Sequence, residues 1–111
     1  MTKPLDGLFV LEVANWIAAP CCGALMADMG ADVVKIEPPE GDSMRYVQRQ
    51  PRDTNGRNVP LGDEIDRSFT LDNRGKRSIC VNLGTEEGRA LVNRLALHAG
   101  RSTGWRGCRS F

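Results

Sequence analysis

Hydrophobic residues in this chain fall into short runs separated by stretches that break every period. Residues 7–13, GLFVLEV, are apolar and β-branched, closed by Gly7 on one side and the small Ala14-Asn15 on the other, which predicts a buried strand placed centrally in a sheet. Residues 20–30, PCCGALMADMG, put Pro20 in a first helical turn, Leu25 and Met29 four apart on one stripe, and Gly30 as a stop, which predicts a short helix. ADVVKIE, residues 31–37, follows at once with strand composition. Two strands joined by a helix make a right-handed βαβ unit with a parallel pair.

The pattern then changes. Between residues 38 and 67, four prolines and three glycines interrupt every period, a long excursion with room for one helical turn around residues 43–48. RSICVNL, residues 77–83, reads as a third strand. Thr85 then caps a helix with Glu86 and Glu87 in its first turn and Leu91, Val92 and Leu95 on its apolar face, with Gly100 as the stop. The fold class is α/β, a partial Rossmann-like βαβ unit with parallel strands. The last segment, RSTGWRGCRSF, carries three arginines, no acid and no apolar period, and reads as a disordered tail over 101–111.

Composition narrows the function classes. Lys and Arg total 15 against 14 Asp and Glu, a net charge of +1, so no global field recruits nucleic acid or an anionic membrane, and any anion site must be local. No apolar run approaches the ~20 residues that span a bilayer, and MTKPLDG lacks a basic and then apolar leader, so a cytoplasmic location is expected. Cys21, Cys22, Cys80 and Cys108 show neither CxxC nor zinc spacing, so they read as free thiols and no metal is expected. His98 has no partner motif and receives no role.

Parallel sheets bind ligands outside the carboxyl ends of their strands, which points to residues 14–20, 37–45 and 82–85. ANWIAAP leads into a helix N-terminus whose backbone N–H groups favour a phosphate, and Ala18 and Ala19 permit close approach. A dinucleotide fingerprint needs G-x-G-x-x-G here, and there is no glycine between Gly7 and Gly23. Glu37 ends the second strand where such enzymes hold the ribose hydroxyls, although a strand-end charge more often simply meets water.

Taken together, PLDGLFVLEV, AAP, LMADMGADVVKIEPPEGDSMR and NRGKRSICVNLGTEEGRALVNRL closely resemble the N-terminal segment of the family III CoA-transferases, the family of formyl-CoA transferase, the carnitine CoA-transferases and α-methylacyl-CoA racemase. The resemblance runs from about Pro4 to Gly100. It implies a small-molecule acyl-CoA substrate, with coenzyme A held by Asn15, Trp16, Ile17 and Ala18 after the first strand and by Val81, Asn82, Leu83 and Gly84 at the end of the third, partly through backbone. A basic residue often follows the strand-two glutamate in formyl-CoA transferases, and a lysine is common where Gly84 stands; here Pro38 and Gly84 remove both charges, leaving Arg45, Arg74, Lys76 and Arg77 as candidate compensators. Since a carboxylate close to a ribose phosphate is repelled, Glu37 should bond to a backbone N–H or point away, organising the turn first and contacting ribose second.

The resemblance also implies an aspartate nucleophile working through anhydride and thioester intermediates, well downstream of the matched segment, so no catalytic residue is assigned. It implies an interlocked homodimer in the full-length family. The loss of resemblance at Gly100 suggests a frame change or truncation, giving a CoA-binding part over 1–100 that is inactive alone, followed by an unmatched tail. Two other readings stay open at this level: a dinucleotide-binding module using Glu37, and a structural fragment without a ligand.

Overall fold

A computed structural model describes residues 2–45, 54–56 and 67–99. Three strands, β1 (Phe9–Glu12), β2 (Asp32–Glu37) and β3 (Arg77–Cys80), form one parallel sheet in the order β1-β2-β3. Helix α1 (Ala18–Asp28) joins the first two strands, a 3-10 turn (Ser43–Arg45) follows β2, and α2 (Arg67–Asp72) and α3 (Glu86–His98) flank β3. The register pairs Leu11 with Val34 and Glu12 with Lys35 on one side of β2, and Lys35 with Ser78 and Glu37 with Cys80 on the other. The sheet is the α/β parallel architecture expected.

The middle strand is β2, not β1. Five of its six residues are buried, whereas Phe9, Val10 and Leu11 of β1 are only half-buried, because β1 has a strand partner on one side alone among the described residues. Alternation along β2 sends Val33, Lys35 and Glu37 to one face and Val34 and Ile36 to the other. Leu8, Ala31 and Val33 form a core cluster on the α1 side, with Leu5, Val10, Met26 and Ala27 packed against it.

The orientation of α1 differs from expectation. Leu25 and Met29 are 52% and 41% exposed, while Pro20, Gly23 and Ala24 face inward. Charged side chains lie beneath this helix, so it needs small residues on its inner face: a Cβ on Gly23 would stand 2.0 Å from Glu12 Oε2. The stop is as read, with Gly30 at φ +102°, a backbone that L side chains rarely adopt.

Helix α2 was not foreseen. It is short and its composition is poor for a helix, and tertiary contacts hold it: it packs on α1 and on the 3-10 turn, Asn73 Nδ2 donates to Phe69 O at 2.9 Å, and the Arg45 guanidinium sits 3.8 Å from the centre of the Phe69 ring. Helix α3 begins as expected, with Thr85 Oγ1 accepting from Gly88 N at 3.1 Å and two acids in its first turn. The expectations for residues 46–48, Gly100 and the tail 101–111 lie outside the described residues. No helix among the described residues is long and apolar enough to cross a membrane.

Candidate functional site

Because all three strands run the same way, the segments that leave them share one edge: 13–17 after β1, 38–45 after β2 and 81–85 after β3. The two groups of predicted site residues therefore lie on the same edge, separated by the end of β2. With strands about 4.8 Å apart, that separation is roughly 10 Å. Asn15, Trp16 and Ala18 are exposed, and Ile17 stands as the α1 N-cap residue. Val81 is buried, its N–H donating to Glu37 O at 2.8 Å, and Asn82, Leu83 and Gly84 are exposed in the turn before α3.

This turn is folded tightly on itself. Asn82 Oδ1 accepts from Gly84 N at 2.9 Å, and Asn82 O accepts from Thr85 Oγ1 at 2.9 Å. A Cβ at position 88 would meet Asn82 O at 2.0 Å, so Gly88 lets α3 start directly against that carbonyl.

The start of α1 is different in kind. Ile17 offers no side-chain acceptor, so no side chain caps the helix, and Ala18 and Ala19 leave its first turn exposed. Trp16, just before it, has φ +67°, which among the described residues no other non-glycine shares in sign. Trp16, Ile17 and Leu83 are 55%, 52% and 39% exposed, an unusual amount of apolar surface at a strand edge.

Glu37 is buried and saturated by its own chain. Its Oε2 accepts from Arg45 Nε at 2.8 Å and from Asp42 N at 3.1 Å; its Oε1 accepts from an Arg45 guanidinium nitrogen and from Ser78 Oγ, both at 2.7 Å. The Arg45 bonds, helped by Ser78 and the Asp42 N–H and opposed by burial, lower its pKa from 4.5 to about 2. The carboxylate thus closes the turn after β2, as the repulsion argument required. With every oxygen engaged it has no acceptor set aside for a ribose, which removes the basis of the dinucleotide reading.

A second ionic group lies deeper, and the sequence reading missed it. Lys35 Nζ donates to Glu12 Oε1 at 3.0 Å and to Ala14 O at 2.8 Å, and lies 2.8 Å from Asp42 Oδ2. Lys76 Nζ lies 2.8 Å from Glu12 Oε2 and donates to Pro20 O at 2.6 Å and to Asp72 O at 3.0 Å. Glu12 Oε2 and Asp42 Oδ2 accept no hydrogen bond, but each lies 2.8 Å from a lysine ammonium. Burial pushes the Lys76 pKa down against the opposing pull of Glu12. Two acids and two lysines balance, so the group is neutral inside the protein, the condition under which buried charges are tolerated. A signal exists only once β2 is known to be the middle strand: Lys35 on a parallel strand buried on both faces must have partners.

The four candidate compensating cations are all engaged: Arg45 with Glu37, Arg74 with Asp28, Lys76 with Glu12, and Arg77 with Asp32. Between the ends of β2 and β3 lies a shallow hollow of about 390 Å³, lined by Glu37, Pro38, Gly41, Arg45, Ser78 and Cys80 among others. Cys21, Cys22 and Cys80 are free thiols.

The class defined by these features is an open parallel α/β sheet with strand ends and an uncapped helix start on one edge. Comparison with known proteins makes the family specific. The family model for CoA-transferase family III matches residues 5–100, and the chain belongs to that family. It is similar to a cinnamoyl-CoA:phenyllactate CoA-transferase of Clostridium sporogenes, 39% identical over 95% of this chain and 24% of that protein. It is also similar to a succinate–glutarate CoA-transferase of Agrobacterium fabrum, 42% identical over 83% of this chain and 22% of that one. Among solved structures, a CAIB/BAIF family protein from Brucella suis superposes with a TM-score of 0.70 at 42% identity, over 89% of this chain and 25% of that chain. The chain thus spans about a quarter of the length of the relatives it matches.

Proposed function

We propose that this chain is the coenzyme A-binding N-terminal part of an enzyme that moves CoA between an acyl-CoA and a carboxylic acid. The observation that carries the reading is the start of α1, where Ala18 and Ala19 stand exposed with no capping side chain, beside the Asn15–Ile17 segment and on the same edge as Val81–Gly84. Backbone N–H groups at a helix start suit the phosphates of the coenzyme. Exposed Trp16, Ile17 and Leu83 suit its adenine ring and pantetheine arm. With the nearby cations already paired, the expected affinity of this part alone is weak.

Chemistry needs more than this edge. Glu12, Glu37 and Asp42 are each locked to cations, which disqualifies them as nucleophiles toward a thioester. The chain by itself is therefore expected to transfer no CoA, the nucleophile and the dimeric assembly being supplied by the remainder of a family enzyme. Residues 1–100 form the binding part in this reading, and 101–111 add nothing to it. The cytoplasm, where acyl-CoA thioesters are metabolised, is the location we infer.

Calorimetric titration of the chain with CoA and with NAD tests the reading. Heat is expected with CoA alone, and Ala18→Trp, which fills the approach to the helix start from the solvent side, should abolish it. Equal CoA binding by that variant, or binding of NAD in preference to CoA, refutes the placement.

A further inference from the structure

We propose that Asp42 and Lys35 are positioning residues which together clamp the segment after β1, holding Trp16 in its left-handed backbone so that the Asn15–Ala18 backbone is presented in one conformation. The inference rests on the reading of that segment as coenzyme-binding.

A bulky L residue at φ +67° is sterically disfavoured and persists only where its surroundings impose it. The Trp16 side chain cannot supply that constraint, because it is 55% exposed. The constraint comes from two groups, both 1% exposed, on other segments. Lys35 Nζ, from β2, donates to Ala14 O at 2.8 Å, fixing the carbonyl on the N-terminal side of Asn15. Asp42 Oδ1, from the turn after β2, accepts from Trp16 N at 3.4 Å on the other side. The two are themselves joined, Asp42 Oδ2 to Lys35 Nζ at 2.8 Å, and each has a further anchor: Met44 N donates to Asp42 Oδ1 at 2.9 Å, and Lys35 is held by Glu12. A buried ion pair of this kind contributes little net stability relative to a well-packed apolar pair. Its placement at the segment that, among the described residues, holds the one non-glycine of positive φ therefore speaks for a positional task.

The test uses the 111-residue chain and the Asp42→Asn variant, read by amide exchange and by CoA calorimetry. The buried Lys35 ammonium is the stronger claim on the one remaining oxygen, so the new amide keeps its oxygen toward Lys35 and turns its NH2 to the Trp16 and Met44 amides, which lose their acceptor. Exchange at the Trp16 amide should accelerate about tenfold and CoA affinity fall about tenfold, the scale of one charge-assisted hydrogen bond, while the amides of Val33–Ile36 keep their protection. Unchanged exchange at Trp16 overturns the clamp. Unchanged CoA affinity with accelerated exchange overturns its role in presentation. If the parent chain itself takes up no CoA, the reading of the edge falls, and Trp16 exchange still decides the clamp. If Asp42→Asn does not fold, the parent chain decides instead: its Trp16 amide should exchange much more slowly than an unbonded exposed amide, and exchange at the free-peptide rate overturns the clamp.

Discussion

Two ionic groups sit two residues apart on β2 and solve different problems. The Glu37 group is local: one carboxylate, one turn, a serine from the next strand, and a cation, Arg45, that is 37% exposed. The Lys35 group is wholly buried, with side-chain exposures of 1% for Lys35 and Asp42, 6% for Glu12 and 2% for Lys76, and it ties β1, the segment after it, the first turn of α1 and the end of α2 together. A group with an exposed partner can lose one bond and rehydrate. A sealed and balanced group cannot lose one member without stranding another.

The sharpest break in that comparison is Lys35→Met. It leaves Asp42 buried without its cation, while Glu12 keeps Lys76. Removing one partner of a buried pair costs roughly 3–5 kcal/mol, a large part of the stability of a small domain. Urea unfolding followed by circular dichroism should show a large drop in midpoint or no folded baseline. A loss below about 1 kcal/mol would show that water reaches the group and that it is not sealed.

Glu37→Gln comes next, and pH sharpens it. The folded-state pKa is about 2 against an ordinary 4.5, so the ionised carboxylate is favoured by folding. Its contribution is complete above the unfolded value and disappears as pH falls from about 4.5 toward 2; the shift corresponds to on the order of 3 kcal/mol. The parent should exceed the variant by roughly 2–3 kcal/mol at pH 7, and the difference should close across that acid window. A gap that stays constant down to pH 2 would assign the effect to packing and not to charge.

Gly23→Ala tests the lid of the sealed group. The added Cβ would lie 2.0 Å from Glu12 Oε2 and 3.1 Å from Lys76 Cε, so either α1 lifts or the carboxylate shifts. Overpacking of this size costs roughly 1–3 kcal/mol, and in an ordinary helix interior the same change would stabilise. Thermal unfolding should therefore show a lowered midpoint, and a raised one would mean that α1 is not held close to the charges.

The parts of the molecule legible from sequence were those set by local rules. Each strand was placed within two residues of its observed start, although the third ends at Cys80 and not at Leu83, the acid-rich Thr85 cap marked the start of α3, and the motifs marked the family. What escaped was set by tertiary neighbours. Leu25 and Met29 make a plausible inward stripe until the charges under α1 demand the small face instead. Helix α2 depends on Arg45 and Asn73 more than on its own residues. Glu37 was read correctly because repulsion from a phosphate is a one-residue argument. The Lys35 group needed four segments to be brought together, and with the first strand expected at the centre nothing marked Lys35 as buried.

The smallest effect is expected at the sheet's solvent side, and it sets the scale for the others. Arg77 and Asp32 pair through two bonds, at 2.9 and 2.6 Å, in a geometry as good as that of Arg45 with Glu37. Their side chains are 66% and 52% exposed, so water competes for both and salt screens what is left. Exposed pairs contribute about 0–1 kcal/mol, and Arg77→Ala should shift the urea midpoint barely, with the shift vanishing at 1 M salt. The Glu37→Gln loss should survive the same salt, since its carboxylate is 6% exposed. If instead the two variants lose stability equally and respond equally to salt, then bond geometry and not burial governs these pairs, and the contrast drawn between the two groups on β2 would lose its basis.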